Sequence, residues 1–331
     1  MLTTMETDSP RTSTLERLAA APLRSDEDGI DWCTPIDRSR WFFCETLTPL
    51  YYTRVYRDLG PEHRLRYNQL TAMMANEIIA FMETEFLGAA LTAVQSGDGD
   101  RRMAPDLHAA VLRFRDDERR HADIWQNLNR LSEPAWYRSA TRRLINIPRG
   151  ALMAARLIAR RPVAFPVVFW IQLVQEERSL EISRRCMRVS PEVMEPRYAA
   201  AYGAHLPDEA RHVQIDRHLI DHFYRPRSLA VRQASALVFR MIVGTLLITP
   251  VYSTERVVCA LAAEYPEVAP LVPRMLQELQ DLRGSVEYHE MMYSRRSTPV
   301  TFALFDEFTE FHQMQAVLRA YQPRTAGSRV N

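Results

Sequence analysis

Two short motifs that pair an acidic residue with a histidine stand out in the sequence. The pattern ExxH occurs only twice, at Glu118–His121 and at Glu209–His212, and each motif directly follows an aspartate. Residues three apart lie on one face of a helix, so a carboxylate oxygen and an imidazole nitrogen can reach the same metal ion. The two motifs therefore predict a metal site built from at least two helices.

Further carboxylates lie in two other apolar segments that have helical spacing. Segment 62–94 contains Glu77, Glu83 and Glu85, and segment 164–190 contains Glu176, Glu177 and Glu181. An unpaired charge in apolar surroundings is costly, so one glutamate from each segment is expected to bind metal. The alternative is that these acids pair with arginines on a solvated face. Two ExxH helices plus one glutamate from each of two other helices is the ligand set of ferritin-like di-iron proteins.

A third histidine extends the second motif. His205, Glu209 and His212 are spaced by four and three residues, which places all three on one stripe of a helix. Four carboxylates neutralise two Fe(II) ions, and an added neutral imidazole supplies a ligand without adding charge. The spacing therefore predicts His205 as a seventh ligand. A surface or capping role is the alternative for this residue.

The aspartates next to the two motifs are predicted to support the ligands. A metal-bound imidazole usually donates its other N–H group to a carboxylate. The near two-fold symmetry of the two motifs pairs Asp208 with His121, and Asp117 with His212. Either aspartate could instead bind a nearby arginine.

The elements that position these residues are predicted to be almost all helical. The chain has only 10 glycines, and its apolar residues recur at helical spacing. The fold class expected is all-α, a ferritin-like four-helix bundle core with additional flanking helices. The helices are expected at 38–59, 62–94, 104–130, 133–145, 148–160, 164–190, 194–222, 227–247, 251–263, 270–284 and 300–320. The four long ones, 62–94, 104–130, 164–190 and 194–222, form two hairpins.

Composition limits the other possibilities. We expect a loose N-terminal arm at 1–36, a single domain at 37–322 and a disordered tail at 323–331.

The net charge of +1, with both signs evenly mixed, argues against a nucleic-acid partner. The basic residues include no lysine, which excludes Schiff-base catalysis and a P-loop. The four cysteines are widely spaced and a signal peptide is lacking, so a reducing cytoplasm is expected. The apolar stretch Met241–Val251 is too short to span a bilayer and is interpreted as a buried core helix.

At residues 65–220 the sequence resembles the p-aminobenzoate N-oxygenases and related arylamine N-oxygenases, which are non-haem di-iron enzymes. The resemblance rests on Asn76-Glu77 followed by Glu83, on the DExxH motif at Asp117, and on the pattern HxxDExxH that begins at His205. It implies that Glu83 is the first ligand, and Glu176 is favoured over Glu177 as the fourth carboxylate. The ligand set is then Glu83, Glu118, His121, Glu176, His205, Glu209 and His212.

The same resemblance implies the chemistry. Two iron ions would use O2 to convert a primary amine, in the family an aryl amine, to a hydroxylamine, nitroso or nitro product in small-molecule biosynthesis. Electrons would come from an external reductase or carrier, because the sequence has no flavin or nicotinamide motif. Family members resemble homodimers. Residues one turn from the ligands, Ala80, Leu87, Leu173 and Tyr202, are candidates for the substrate pocket. The spacing places no arginine in that pocket, so p-aminobenzoate itself is not expected as the substrate.

Three other functions compete with amine oxidation. A ferritin-like ferroxidase or storage protein would bind iron without an organic substrate, but the helices after residue 222 and the third histidine argue against it. A di-iron hydroxylase or desaturase would attack C–H bonds at a similar site, and the third histidine disfavours this too. A helical interaction protein would hold no metal. Metal content and amine turnover separate these possibilities.

Overall fold

The computed structural model describes residues 14–20, 29–97, 103–248 and 251–324. Within these ranges the chain is mainly helical and has no strand, so the all-α prediction is confirmed. An isolated bridge joins Trp41 to Met194 and ties the segment before the bundle to the start of its last helix.

Twelve α-helices lie within the described ranges. They are α1 Thr14–Ala19, α2 Pro61–Phe81, α3 Gly88–Gln95, α4 Pro105–Ser132, α5 Arg149–Arg160, α6 Val167–Cys186, α7 Pro196–Leu219, α8 Leu229–Ile242, α9 Val251–Glu264, α10 Val272–Asp281, α11 Val286–Met292 and α12 Pro299–Glu307. Several begin with proline at the first helical position, where its missing N–H group costs nothing. In α7 the N-cap side chain of Glu195 also accepts from the backbone N–H groups of Arg197 and Tyr198.

The bundle consists of α2, α4, α6 and α7. Helix α6 packs along α7, α2 packs on α4, and α4 packs on α7. The two helices that carry the ExxH motifs, α4 and α7, are therefore neighbours. The two helices that carry the additional glutamates, α2 and α6, flank them on either side.

The helix that begins with α2 contains a wide turn between α2 and α3. Residues Met82–Leu87 form a π-helical segment between α2 and α3, so 61–95 is one continuous helix with a local widening. The N–H group of Gly88 donates to the carbonyl oxygen of Glu83 across this turn. A Cβ atom at residue 88 would lie 2.4 Å from that oxygen, so only glycine fits without a backbone shift. Such turns are frequent at functional sites, and this one contains Glu83.

Two of the expected helices are wrong. Segment 133–145 is irregular because its backbone N–H groups at Arg143, Leu144 and Ile145 donate to the buried carboxylate of Glu77. Segment 38–59 contains only 3₁₀ turns. There the Asn68 side chain binds backbone groups of Phe42 and Phe43 that a helix would have used internally.

The N-terminal segment is ordered in part. Helix α1, within the expected loose arm 1–36, buries Leu18 and packs on α4. Residues 1–13 and 21–28, and most of the expected tail at 323–331, lie outside the described residues. Helix α11 was not expected from the sequence.

One helical stretch, Leu229–Glu264, is long and apolar enough to cross a membrane by length and composition alone. Residues 249–250, within this range, lie outside the described part of the chain. The expectation of a buried core helix at Met241–Val251 is wrong for most of its described residues. Met241 and Thr245 are exposed, and only Val243 and Ile248 are buried. Core helices of soluble proteins pass the same test, so this stretch is weak evidence for a membrane span.

Candidate metal centre

Seven side chains from four helices meet in the middle of the bundle. Helices α4 and α7 supply the two ExxH motifs, α6 supplies one glutamate, and the π-helical segment supplies another. All seven are buried: Glu83, Glu118, His121, Glu176, His205, Glu209 and His212. The cluster contains four carboxylates and three imidazoles.

One part of the cluster is centred on His121 and His205. The Nδ1 atom of His121 lies 3.9 Å from Oε1 of Glu83 and 3.5 Å from Oε1 of Glu209. The Nε2 atom of His205 lies 3.5 Å from the same oxygen of Glu83 and 2.8 Å from that of Glu209. Ligand atoms of Glu83, His121 and His205 all lie within 4.8 Å of one another, which is close enough to hold one cation.

The second part is centred on His212. Its Nδ1 atom lies 3.3 Å from Oε1 of Glu118, 3.3 Å from Oε2 of Glu176 and 3.6 Å from Oε1 of Glu209. Glu118 and Glu209 also approach His121, at 3.7 and 3.5 Å. These two carboxylates therefore lie between the two parts of the cluster, where they can bridge two cations.

The other glutamates of α6 have different partners. The carboxylate of Glu177 accepts from the backbone N–H groups of Val300 and Thr301 in the first turn of α12, at 2.7 and 2.8 Å. Glu181 pairs with Arg185 one turn along α6. Of the three, only Glu176 contacts the cluster within the described part of the chain.

The other glutamates near Glu83 are also occupied elsewhere. Glu77 accepts from the Tyr137 hydroxyl at 2.6 Å as well as from the backbone of the loop after it. Glu85 is half-buried and pairs with Arg142 and Arg156. Glu77 is therefore a structural carboxylate, although it is as buried as Glu83.

Burial and close contacts perturb the protonation of the cluster. Burial raises the pKa of Glu83 to about 7 and the pKa of Glu118 well above its usual value. Burial, together with the neighbouring His205, lowers the pKa of His121 to about 3. Burial opposes the charged form of His205, but Glu209 and Glu83 raise its pKa to about 9. Perturbed groups that share one buried site are typical of functional centres.

Several ligand atoms lack any other partner. Both carboxylate oxygens of Glu118, Oε2 of Glu83 and Nδ1 of His121 are buried without a hydrogen bond to the described residues. Buried polar atoms are almost always satisfied, so such a group of orphans indicates a missing partner. Carboxylate oxygens and imidazole nitrogens suit iron, and four carboxylates balance the charge of two Fe(II) ions. The residues present therefore fit a di-iron centre.

Aspartates and arginines surround the cluster. Asp208 Oδ2 lies 3.2 Å from Nε2 of His121, and Asp117 Oδ2 lies 3.5 Å from Nε2 of His212. Each carboxylate therefore faces the imidazole of the other ExxH helix. Arg211 bridges the two aspartates, at 2.6 Å from Asp208 and 3.0 Å from Asp117. Arg120 pairs with Asp208, and Arg113 pairs with Asp117 at 2.9 Å.

Sequence reasoning missed one acidic neighbour of the cluster. Asp216 lies one turn after His212 and is fully buried, and neither of its oxygens has a hydrogen-bond partner among the described residues. Burial raises its pKa well above the usual value, and the nearby Glu209 adds to this shift. Its position four residues after His212 was the available signal, since it continues the stripe of His205, Glu209 and His212.

Two cavities lie along α2 and α6. The larger, of about 190 Å³, is apolar and touches Met82 and Phe86 on either side of Glu83. The smaller, of about 110 Å³, lies next to Ile79 and Ser179, about one turn from Glu83 and Glu176. Ile78 lines both. The expected pocket residues Ala80, Leu87, Leu173 and Tyr202 line neither of these cavities and are buried in the core.

The smaller cavity has one charged residue in its described lining, Arg178. The sequence spacing places no arginine in the substrate pocket, and this stays a prediction. Arg178 lies two residues after Glu176, on a different face of α6, so a search for residues one turn from the ligands overlooks it.

The model of the family described as p-aminobenzoate N-oxygenase AurF matches residues 8–266, which is most of the chain. No curated protein matches the chain. The matched range includes all seven residues of the cluster.

Proposed function

The chain belongs to the p-aminobenzoate N-oxygenase family, and from this membership we propose that it uses O2 to oxidise the nitrogen of a primary aryl amine. The family consists of di-iron N-oxygenases of arylamines, so the chain is an oxidoreductase of the monooxygenase type. What we propose for this chain in particular is its ligand set, its electron supply and its product.

The proposed ligands are Glu83, Glu118, His121, Glu176, His205, Glu209 and His212. The observation that carries the proposal is their convergence from four helices in the core, with ligand atoms that have no other partner. We propose that Glu83, His121 and His205 hold one iron and that Glu176 and His212 hold the other. Glu118 and Glu209, which lie near both groups, would supply carboxylate oxygens within reach of either ion.

The surrounding residues would fix the ligands and keep water out. Asp208 and Asp117 are placed to accept the N–H groups of His121 and His212, which sets the tautomer of each imidazole. The facing imidazoles, together with the paired arginines, lower the pKa of both aspartates against the effect of burial. The apolar residues of the two cavities would exclude bulk water from the amine. Iron bound at the centre would supply the activation of O2.

The proposed overall reaction is balanced as a monooxygenation. One amine, one O2, two electrons and two protons give one hydroxylamine and one water. The electrons come from an external reductase or electron carrier. Repetition on the same nitrogen leads from the hydroxylamine to a nitroso and then to a nitro product.

Two broader expectations accompany this proposal. The chain is proposed to act in the cytoplasm, because its cysteines are widely spaced, and as a homodimer, as the family resemblance implies. Sedimentation of the iron-loaded protein tests the second expectation, since a monomer at micromolar concentration would contradict it.

The experiment that tests the function has two stages. Iron content is measured first, and about two irons per chain are expected. The reduced protein is then exposed to O2 with a panel of aryl and alkyl amines, and the products are examined by mass spectrometry for added oxygen. Two irons with oxygen gained by an aryl amine support the proposal. Turnover of an acyl chain without any amine oxidation would contradict it.

A further inference from the structure

The part of the sequence between Glu133 and Glu176 contains no acidic residue. It contains seven arginines, whereas the whole chain has a net charge of only +1. Four of the seven lie in helix α5 or directly after it: Arg149, Arg156, Arg160 and Arg161. Positive charge is therefore concentrated around one helix of a nearly neutral chain.

The exposed side of α5 combines this charge with apolar side chains. Its exposed residues recur at helical spacing, so they form two adjacent stripes. One stripe consists of Arg149, Met153, Arg156 and Arg160, and the other of Gly150, Ala154, Leu157 and Arg161. We call these eight residues the α5 face. Met153 is 72% exposed and Leu157 is 53% exposed, so the face has a small apolar centre with arginines towards both ends.

Most of the charge on the α5 face is not neutralised. No carboxylate of the described residues lies within 4.0 Å of the guanidinium nitrogens of Arg149, Arg160 or Arg161. Arg156 pairs with Glu85 at 3.0 Å, but this carboxylate is shared with a second arginine. Helix α3, which packs on α5, contains no acidic residue. An anionic partner would therefore meet positive charge that the fold leaves unbalanced.

The α5 face lies one helix away from a proposed iron ligand. Helix α5 packs on the π-helical segment Met82–Leu87, which contains Glu83. The ion pair of Arg156 with Glu85 joins the two elements directly. The axes of packed helices are about 8–10 Å apart. The outer surface of α5 is therefore close to the candidate metal centre.

These features favour one kind of partner. Encounters between redox proteins use small interfaces, and complementary charge steers their association. A second copy of this chain fits poorly, because a two-fold contact through the α5 face would bring its arginines against one another. A lipid surface also fits poorly, because Met153 and Leu157 alone offer little apolar area to bury.

We infer that the α5 face is the docking surface for a small acidic electron-carrier protein that reduces the iron centre. The inference rests on the proposed function, which needs electrons from outside, and it goes further by giving the carrier a surface and a charge. Two carrier molecules lose one electron each, and two Fe(III) ions become two Fe(II) ions. The arginines contact carboxylates of the carrier, and Met153 and Leu157 form the dry centre of the contact.

Direct binding tests the docking surface without turnover. An oxidised plant-type ferredoxin, an acidic protein with a 2Fe–2S cluster, is titrated into the iron-loaded full-length protein at low salt and followed by calorimetry. Wild-type protein should bind it, and added salt should weaken the binding. The double variant Arg149→Glu/Arg160→Glu should bind at least about tenfold more weakly, because it replaces attraction by repulsion.

A second double variant controls for the change in total charge. Arg188→Glu/Arg283→Glu alters the net charge by the same amount at exposed arginines outside α5. It should weaken ferredoxin binding less than about threefold, because interactions between distant exposed charges are screened. Circular dichroism checks that both double variants remain folded.

The rate of electron transfer gives another readout. Reduced ferredoxin is mixed with the oxidised, iron-loaded protein, and the absorbance of the ferredoxin is followed by stopped flow. Arg149→Glu/Arg160→Glu should slow this reaction at least about tenfold at low salt. Reduction by dithionite, a small molecule that needs no docking surface, should change much less.

Several results would overturn the assignment. Equal ferredoxin binding by wild type and Arg149→Glu/Arg160→Glu would place the carrier elsewhere, as would an equal loss in both double variants. Wild-type protein that bound no ferredoxin would also contradict it. In that case, binding to vesicles of phosphatidylcholine and phosphatidylserine would identify the α5 face as a lipid surface, and a shift from dimer to monomer in Arg149→Glu/Arg160→Glu would identify it as an interface between copies.

Failure of the proposed function gives a different result. If the protein oxidised no amine, ferredoxin binding and the reduction of iron would still report on the α5 face. If ferredoxin supported amine oxidation equally well in wild type and in Arg149→Glu/Arg160→Glu, the function would stand and this inference would be wrong.

Discussion

Glu176 and Glu177 are adjacent in the chain, yet their carboxylates bind different helices. Glu176 lies 3.3 Å from Nδ1 of His212 in α7, whereas Glu177 accepts two backbone N–H groups at the start of α12. One glutamate thus belongs to the candidate metal centre, and the other fixes a helix that follows the bundle. The two residues form a natural pair for separating metal binding from folding.

Glutamine at either position removes one carboxylate but has different consequences. Glu176→Gln should lower iron content from about two to about one per chain, because the site around His212 loses a ligand. Glu177→Gln should retain both irons and lower the free energy of unfolding by about 1–3 kcal/mol, through the loss of charged hydrogen bonds to α12. Iron analysis and urea unfolding measure the two effects. The reverse pattern would assign the ligand to Glu177.

His205→Ala tests the seventh ligand. The helices should remain folded, because His205 lies on the inner stripe of α7 and contributes little to helix formation, but iron occupancy should fall. Circular dichroism and iron analysis give the two readouts. His218→Ala in the same helix is the control, since His218 lies outside the cluster. Full iron content in His205→Ala would leave a six-ligand site.

Gly88 is predicted to set the backbone at Glu83. A methyl group at residue 88 would lie 2.4 Å from the carbonyl oxygen of Glu83, so Gly88→Ala must displace the wide turn. We expect a loss of about 1–3 kcal/mol of stability together with reduced iron binding. Gly150→Ala in α5 is the control, because its added methyl group meets nothing within 4 Å. Equal iron content and stability in both variants would show that the turn tolerates a side chain.

Glu77 is expected to matter for stability only. Glu77→Gln removes an ionised acceptor from the Tyr137 hydroxyl and from the backbone at 143–145, which should cost about 2–3 kcal/mol. Iron stoichiometry should remain near two per chain. Thermal unfolding followed by circular dichroism, with iron analysis of the same sample, checks both statements. Loss of iron at full stability would mean that Glu77 is a ligand.

Removal of iron should destabilise the whole bundle. Without cations the buried carboxylates lose the partners that stabilise their charged form, and ions that bind only the folded state stabilise it. A chelator is therefore expected to lower the midpoint of thermal unfolding by at least about 5 °C. Added Fe(II) should restore the midpoint. An unchanged midpoint would argue that the cluster holds no metal.

The sequence alone predicted the helical class and the long helices of the bundle. These helices are long, periodic and bounded by proline, and the two ExxH motifs are unusual enough to identify the residues that the structure brings together. The choice between Glu176 and Glu177 depended on which helix each one faces, and this is a tertiary fact. Segment 133–145 was assigned to a helix because local propensity cannot show that Glu77 takes its backbone N–H groups.

The pocket was the least predictable part. Residues one turn from each ligand are Ala80, Leu87, Leu173 and Tyr202. That rule does not account for the wide turn at Met82–Leu87 or for the space between α2 and α6. It also does not find Arg178, which lines the smaller cavity two residues after Glu176.

The wide turn at Met82–Leu87 also affects how this chain is aligned with other proteins. When one residue is inserted into an α-helix and the helix axis keeps its direction, the extra residue is accommodated in a π-helical turn of this kind. Comparison with a homologue that has an unbroken α-helix here would therefore require a one-residue gap between positions 82 and 87. An alignment without that gap would pair either Glu83 or Gly88 with the wrong residue of the homologue.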